Sequence, residues 1–108
     1  MKSSFKVVKN SEAIIRKIAS NKRAYNFITK NVNPNVSLAR IEAENFEGEI
    51  LIEQNFIYYV LEGKLMLKFK KGKAILNPGD TCYVTKGSTY VMSGTFKTIV
   101  VSQPAFGT

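Results

Sequence analysis

A chain of 108 residues, 44% hydrophobic and 22% charged, is long enough for one core and has ordinary globular composition. It has no histidine and a single cysteine, Cys82, which excludes a His/Cys metal cluster, a histidine base and an internal disulfide. The net charge of +8 is segregated, with eight Lys/Arg against Glu12 alone in 1–30, six glutamates and no base in 41–63, and five lysines and no acid in 64–73.

Apolar runs fall short of the roughly 18 residues of a membrane span. The start, MKSSFKVVKNSEAIIRK, lacks the apolar centre of a signal peptide. With a lone cysteine, these features predict a cytoplasmic protein with no membrane partner.

In chain order, Phe5 to Lys9 reads as a short strand. Asn10 or Ser11 then caps a predicted short amphipathic helix over 11–22, with Glu12 in its first turn and Ile14, Ile15 and Ile18 on one face. Such a face more often covers the end of a sheet than docks on a membrane or nucleic acid. Residues 23–30 are ambiguous between extended and other conformations, and NVNPN (31–35) is a turn. From Val36 the period becomes two and predicts a strand to Phe46, with a turn at Gly48. The glutamates Glu42, Glu44, Glu47, Glu49 and Glu53 alternate along strands and read as a solvent face.

The stretch ILIEQNFIYYVLEGKLML (50–67) is rich in β-branched and aromatic residues. Its Glu62-Gly63 punctuation predicts a hairpin. On the second arm Lys64, Met66 and Lys68 alternate with Leu65, Leu67 and Phe69, solvent against core. KKGK (70–73) is a turn. Four short strands follow, at 74–76, 81–84, 89–93 and 96–101, separated by NPGD, KGS and GT. In NPGD, Pro78 and Gly79 set the corner and Asp80 bonds the backbone beyond, which makes it a turn residue rather than a catalyst. Short strands so punctuated predict an all-β sandwich or barrel.

YYVLEGKLML (58–67) and NPGDTCYVTKGSTY (77–90) are similar to the close of the first motif and to the second motif of the cupins. The likeness spans 50–94. It implies a small RmlC-like jelly-roll β-barrel, here over 36–104 of a single 1–108 domain, with 1–30 as an N-terminal strand and helix. The family's metal pattern is two histidines and a glutamate in the first motif and a histidine in the second. Counted onto this chain, those places fall on Ile50, Ile52, Phe56 and Tyr90. A slip of one residue brings Glu49 or Glu53 nearby but turns the apolar set outward. Hydrocarbon does not ligate, and tyrosine binds metal only as phenolate, at an ordinary pKa of about 10. The resemblance therefore implies the fold without the family's metal chemistry, with no metal and no cofactor.

If Ile50 and Ile52 face inward, alternation places Phe56, Tyr58 and Val60 with them, joined by Tyr83 or Cys82, Tyr90 and Met92. These eight positions, counting Tyr83, form the candidate ligand site. They predict either an apolar pocket with phenolic hydroxyls for a small organic molecule or a filled core. No residue stands out as catalytic: Cys82 lacks an activating histidine, and nothing marks which lysine a base would be.

The first functional expectation is a metal-free protein that binds or senses a small organic molecule. Small cupins commonly dimerise, so a homodimer is expected, with Tyr59 and Met66 in the shared patch. The alternatives are an isomerase or lyase using a tyrosine and a glutamate at the barrel mouth, and nucleic-acid binding by the basic segments 1–30 and 64–73. The latter has charge but no interleaved aromatics. Pro104 and Phe106 are expected to pack back across the barrel or on a second subunit.

Overall fold

A computed structural model describes residues 4–107; Lys2 of the basic N-terminal segment lies outside them. Among the described residues seven antiparallel strands make one sheet: β1 (Ile14–Ala19), β2 (Lys22–Ile28), β3 (Ser37–Leu51), β4 (Asn55–Phe69), β5 (Gly72–Leu76), β6 (Thr81–Val84) and β7 (Thr89–Gln103). Their order is β1-β2-β3-β7-β4-β5, and β6 pairs with the first arm of β4. The all-β expectation holds. Among the described residues no helix is long and apolar enough to cross a membrane.

The expected helix over 11–22 is instead a 3-10 turn, Asn10–Glu12, followed by a strand. Phe5 to Lys9 forms no strand. Three isoleucines at this spacing fit either period, and pairing decides. A tight turn at Ser20 and Asn21 lets Ala19 face Lys22, and Arg16 face Ala24. The Asn21 amide pins that turn by donating to the carbonyls of Glu44 and Asn45. In a strand the β-branched side chains keep their preferred rotamers.

Three 15-residue strands, β3, β4 and β7, form the spine. Each departs from regular pairing or regular dihedrals along one line across the sheet. β3 slips register between Ala43 and Phe46, and β4 slips between Val60 and Glu62. Asn45 has φ 45 and Gly94 has φ 123. Such bulges bend a strand and sharpen its twist, so one continuous sheet curls into the barrel.

The hairpin expected at Glu62-Gly63 and the turn expected at Gly48 are therefore corrected: both glycines lie inside long strands. Gly63 has φ +79, and a Cβ there would stand 2.1 Å from the Thr95 carbonyl oxygen. Only glycine lets β4 cross β7 so closely. At Gly48 the Phe46 ring fills the place of a side chain, 2.7 Å from a would-be Cβ.

The core follows the alternation. Phe56, Tyr58, Val60, Leu65, Leu67, Leu76, Val84, Tyr90, Met92 and Phe96 are all buried. Lys64 and Lys68 face solvent, and Met66 is half-buried. The NPGD turn closes as expected, with Asp80 accepting from the Asn77 amide at 2.8 Å. It is also tied to the bend, because Val60 N–H donates to the Asp80 carbonyl and Gly79 N–H to the Val60 carbonyl.

Candidate functional site

The barrel is hollow at one end. A cavity of about 340 Å³ opens between β2, β3, β4 and β7. Its apolar wall includes Ile41, Ile50, Ile52, Phe56, Met92 and Val100. The space exists because the facing positions on β2 and β3 are small: Ala24, Ala39 and Ser37 line it too.

Several backbone contacts hold this wall. The turn at Lys86 and Gly87 clasps Ile52 from both sides, with Ile52 N–H donating to the Ser88 carbonyl and Gly87 N–H to the Ile52 carbonyl. The chain end folds back over the mouth, where Ala105 N–H donates to the Pro34 carbonyl and Phe106 N–H to Ser37 Oγ. The Phe106 ring then sits 6.3 Å from that of Phe56 and lines the cavity.

Five of the eight expected positions, Ile50, Ile52, Phe56, Tyr58 and Met92, line the cavity. Val60 and Tyr90 lie in the packed core beside it. Tyr83 is corrected: it is 60% exposed, and Cys82 is the neighbour that packs against the core. The parity of β6 decides this, since Tyr58 pairs with Cys82 and Ile57 with Tyr83. The outward row is thus Ile57 with Tyr83.

Behind the wall the hydroxyls of Tyr58 and Tyr90 hydrogen-bond at 2.6 Å, with their rings edge-to-face. Burial holds the Tyr58 phenol well above its ordinary pKa, with the neighbouring Tyr90 adding to the effect. Burial also pushes Tyr90 up to about 12. At neutral pH both are neutral hydroxyls that satisfy each other.

The donor chemistry at the four places counted from the resemblance therefore does not suit a metal ion. Three of the four counted places are hydrocarbon in the cavity wall, and the fourth, Tyr90, is protonated and already bonded. Among the described residues no three of His, Cys, Asp and Glu come together.

Three charged residues, Arg16, Lys22 and Glu49, share the cavity. Lys22 and Arg16 are the ones that sequence reading missed, and Lys22 is the buried one. Thirteen lysines look alike in composition, but only one starts β2 on the inward parity. It is 5% exposed, with its ammonium 4.4 Å above the Phe46 ring. Burial, and then the charge of Arg16, lower its pKa to about 8. On its other side lies a larger, open cleft over the bend, rimmed by Arg23, Glu42, Glu44, Glu62 and Lys97.

No family model and no curated protein matches this chain. Solved structures do, at low identity. An RmlC-like cupin from Shewanella frigidimarina is 16% identical with a TM-score of 0.78, over 98% of this chain and 95% of that one. Ectoine synthase from P. lautus is 11% identical with a TM-score of 0.82, over 94% and 80%. The polyketide cyclase RemF from Streptomyces resistomycificus is 18% identical with a TM-score of 0.77, over 92% and 79%. Strand order, the bend line and these likenesses together give this chain the cupin fold.

Proposed function

We propose that this protein binds a small organic molecule in the barrel cavity, without a metal ion. The observation that carries the reading is the hollow of about 340 Å³, walled by hydrocarbon where cupin metal ligands would stand. Small-molecule sites run from roughly 300 Å³ upward, mostly apolar with a few oriented polar groups. The names of two fold neighbours, a polyketide cyclase and an ectoine synthase, also speak of small organic molecules.

A second reading is an isomerase or lyase. It is favoured by Lys22 and Glu49 lining the same cavity as Tyr58, since a desolvated amine or a carboxylate can move a proton. Nucleic-acid binding has less support, because Lys22 of the basic segment is buried in the cavity wall and withdrawn from the outer surface.

We also propose a cytoplasmic homodimer. Ile57, Tyr59 and Tyr83 leave 44%, 45% and 60% of their surface exposed on one outer face. A contiguous apolar patch of this kind suits a self-complementary contact. Tyr59 belongs to it; the half-buried Met66 lies across the bend, on the second arm of β4.

Native mass spectrometry of protein purified gently from cells tests these readings together. A dimer carrying the mass of an organic molecule is expected. A protein that arrives with a stoichiometric transition metal would overturn the ligand reading, and a monomer at all concentrations would overturn the dimer.

A further inference from the structure

We infer that the ligand is an organic acid, a carboxylate on a small apolar body, with its anion received between Lys22 and Arg16. This rests on the cavity being a binding site, and it adds what that site selects.

Two cations at the cavity lack acids, Lys22 buried in its wall and Arg16 exposed at its edge. Arg16 lies on β1 with its guanidinium 5.4 Å from the Phe106 ring centre, and Lys22 lies on β2 over the Phe46 ring. Both line the same cavity. Among the described residues the ion pairs are Arg40 with Glu42 and Lys97 with Glu62, and neither involves them. Aromatic faces stabilise a cation modestly but do not neutralise it.

A buried charge without a partner is costly, and a protein normally pairs it or moves its pKa. Here the pKa has moved to about 8, so at neutral pH the amine is still mainly protonated and unneutralised. The charged groups around Lys22 do not change this balance. Arg16 on β1 repels it; Arg23 on β2 and Lys97 on β7 bring no negative charge, and Lys97 is already engaged by Glu62 of β4. Glu42 of β3 is bound to Arg40. Glu44 and Glu49 of β3 are exposed. Among the described residues Glu49 is the one acid on the cavity rim, and it lies beyond ion-pair distance of both cations. The missing complement is therefore an anion that arrives with the ligand.

The rest of the cavity sets the body of that ligand. Ile41, Ile50, Ile52, Phe56, Met92 and Val100 offer hydrocarbon, which favours an aliphatic or aromatic skeleton over a sugar. The volume limits it to one ring or a short chain.

Matched pairs of probes separate the charge from the cavity. Calorimetric titration at neutral pH would compare hexanoate with hexanol, and hydrocinnamate with hydrocinnamyl alcohol. The wild-type protein should bind each acid roughly tenfold or more tightly than its alcohol, the gain expected of a charge-assisted hydrogen bond. In Lys22→Met and in Arg16→Gln that preference should shrink while alcohol binding persists. Acid and alcohol binding equally would overturn the organic-acid inference and leave the cavity reading standing. Failure of all four probes would overturn both. NMR titration of the Lys22 amine in the unmutated protein gives a readout free of folding effects: saturating acid should raise its pKa above about 8. An unmoved pKa would count against contact.

Discussion

The two ends of this barrel share the same period-two alternation, yet one is solid and the other hollow. On the second arm of β4 and on β5, the inward residues are Leu65, Leu67 and Leu76, closed over by Tyr90 and Phe69. On β2 and the first arm of β3 they include the small Ala24, Ala39 and Ser37. Backbone curvature is continuous through both, because the bend line crosses all three long strands. The small side chains of Ala24, Ala39 and Ser37 leave room for a ligand at one end. The same choice concentrates stability at one end and recognition at the other.

The largest effect that can test this division comes from truncation. Leu67 is fully buried in the solid end, so Leu67→Ala removes packed methyls and leaves a void, at an expected cost of roughly 2–5 kcal/mol. Ile50 is only partly buried and already borders empty space, so Ile50→Ala should cost about 1 kcal/mol, the smaller transfer value. Urea denaturation of both variants measures the difference. Equal losses would mean that the cavity collapses in solution and that the two ends are alike.

The solid end was the more legible in the sequence. Its alternation from Lys64 to Phe69 reads directly as solvent and core, and the NPGD turn announces its own hydrogen bonds. The hollow end was harder, for physical reasons. A glycine that permits a bend within a strand and a glycine that makes a hairpin turn carry the same signature, so Gly63 read as a turn. Ile14, Ile15 and Ile18 satisfy a helix or a strand until Ala19 is seen to face Lys22 across a two-residue turn. One residue of parity separates Cys82 from Tyr83. Counting from the glycines did place Ile50, Ile52 and Phe56 on the cavity wall, because turn positions fix register more firmly than composition does. Lys22 and Arg16 could not be found this way. Their role depends on β1 and β2 being strands at all.

The second effect is electrostatic and belongs to the hollow end alone. The folded-state pKa of Lys22, about 8, is below the ordinary lysine value of 10.5. Below both values the lysine is protonated in either state, and folding carries the full penalty of burying it. Between about 8 and 10 the unfolded chain holds more protons, so stability should rise with pH. Tyr58, Tyr90 and Cys82 act in the opposite direction. Their pKa values are raised by burial, so stability falls once the unfolded thiol and phenols ionise, at about 9 for the thiol and about 10 for the phenols. Subtraction isolates the lysine. Lys22→Met should be more stable than the wild type by a few kcal/mol near neutral pH, and the gap should narrow as pH approaches 10. A gap independent of pH would show that Lys22 is solvated, and the contrast between a neutral solid end and a charged hollow one would be lost.

The smallest effect on stability should have a large effect on binding. Ala24 is 1% exposed and faces the cavity from the middle of β2, opposite Ile41. Ala24→Val adds two methyl groups to the empty space, and a β-branched residue suits a strand. The burial of new apolar surface offsets any local crowding, so the change in stability should stay within about 1.5 kcal/mol of zero. The volume left for a ligand shrinks by a substantial part of what one ring or short chain needs. Hydrocinnamate affinity should therefore fall by roughly tenfold or more, as a contact of ordinary van der Waals size becomes an overlap. Denaturation and calorimetry on the same preparation measure both quantities. Loss of binding with stability intact places the ligand in the space that small residues leave open. Binding that survives Ala24→Val moves it out of the barrel, and the hollow end would then be a packing defect.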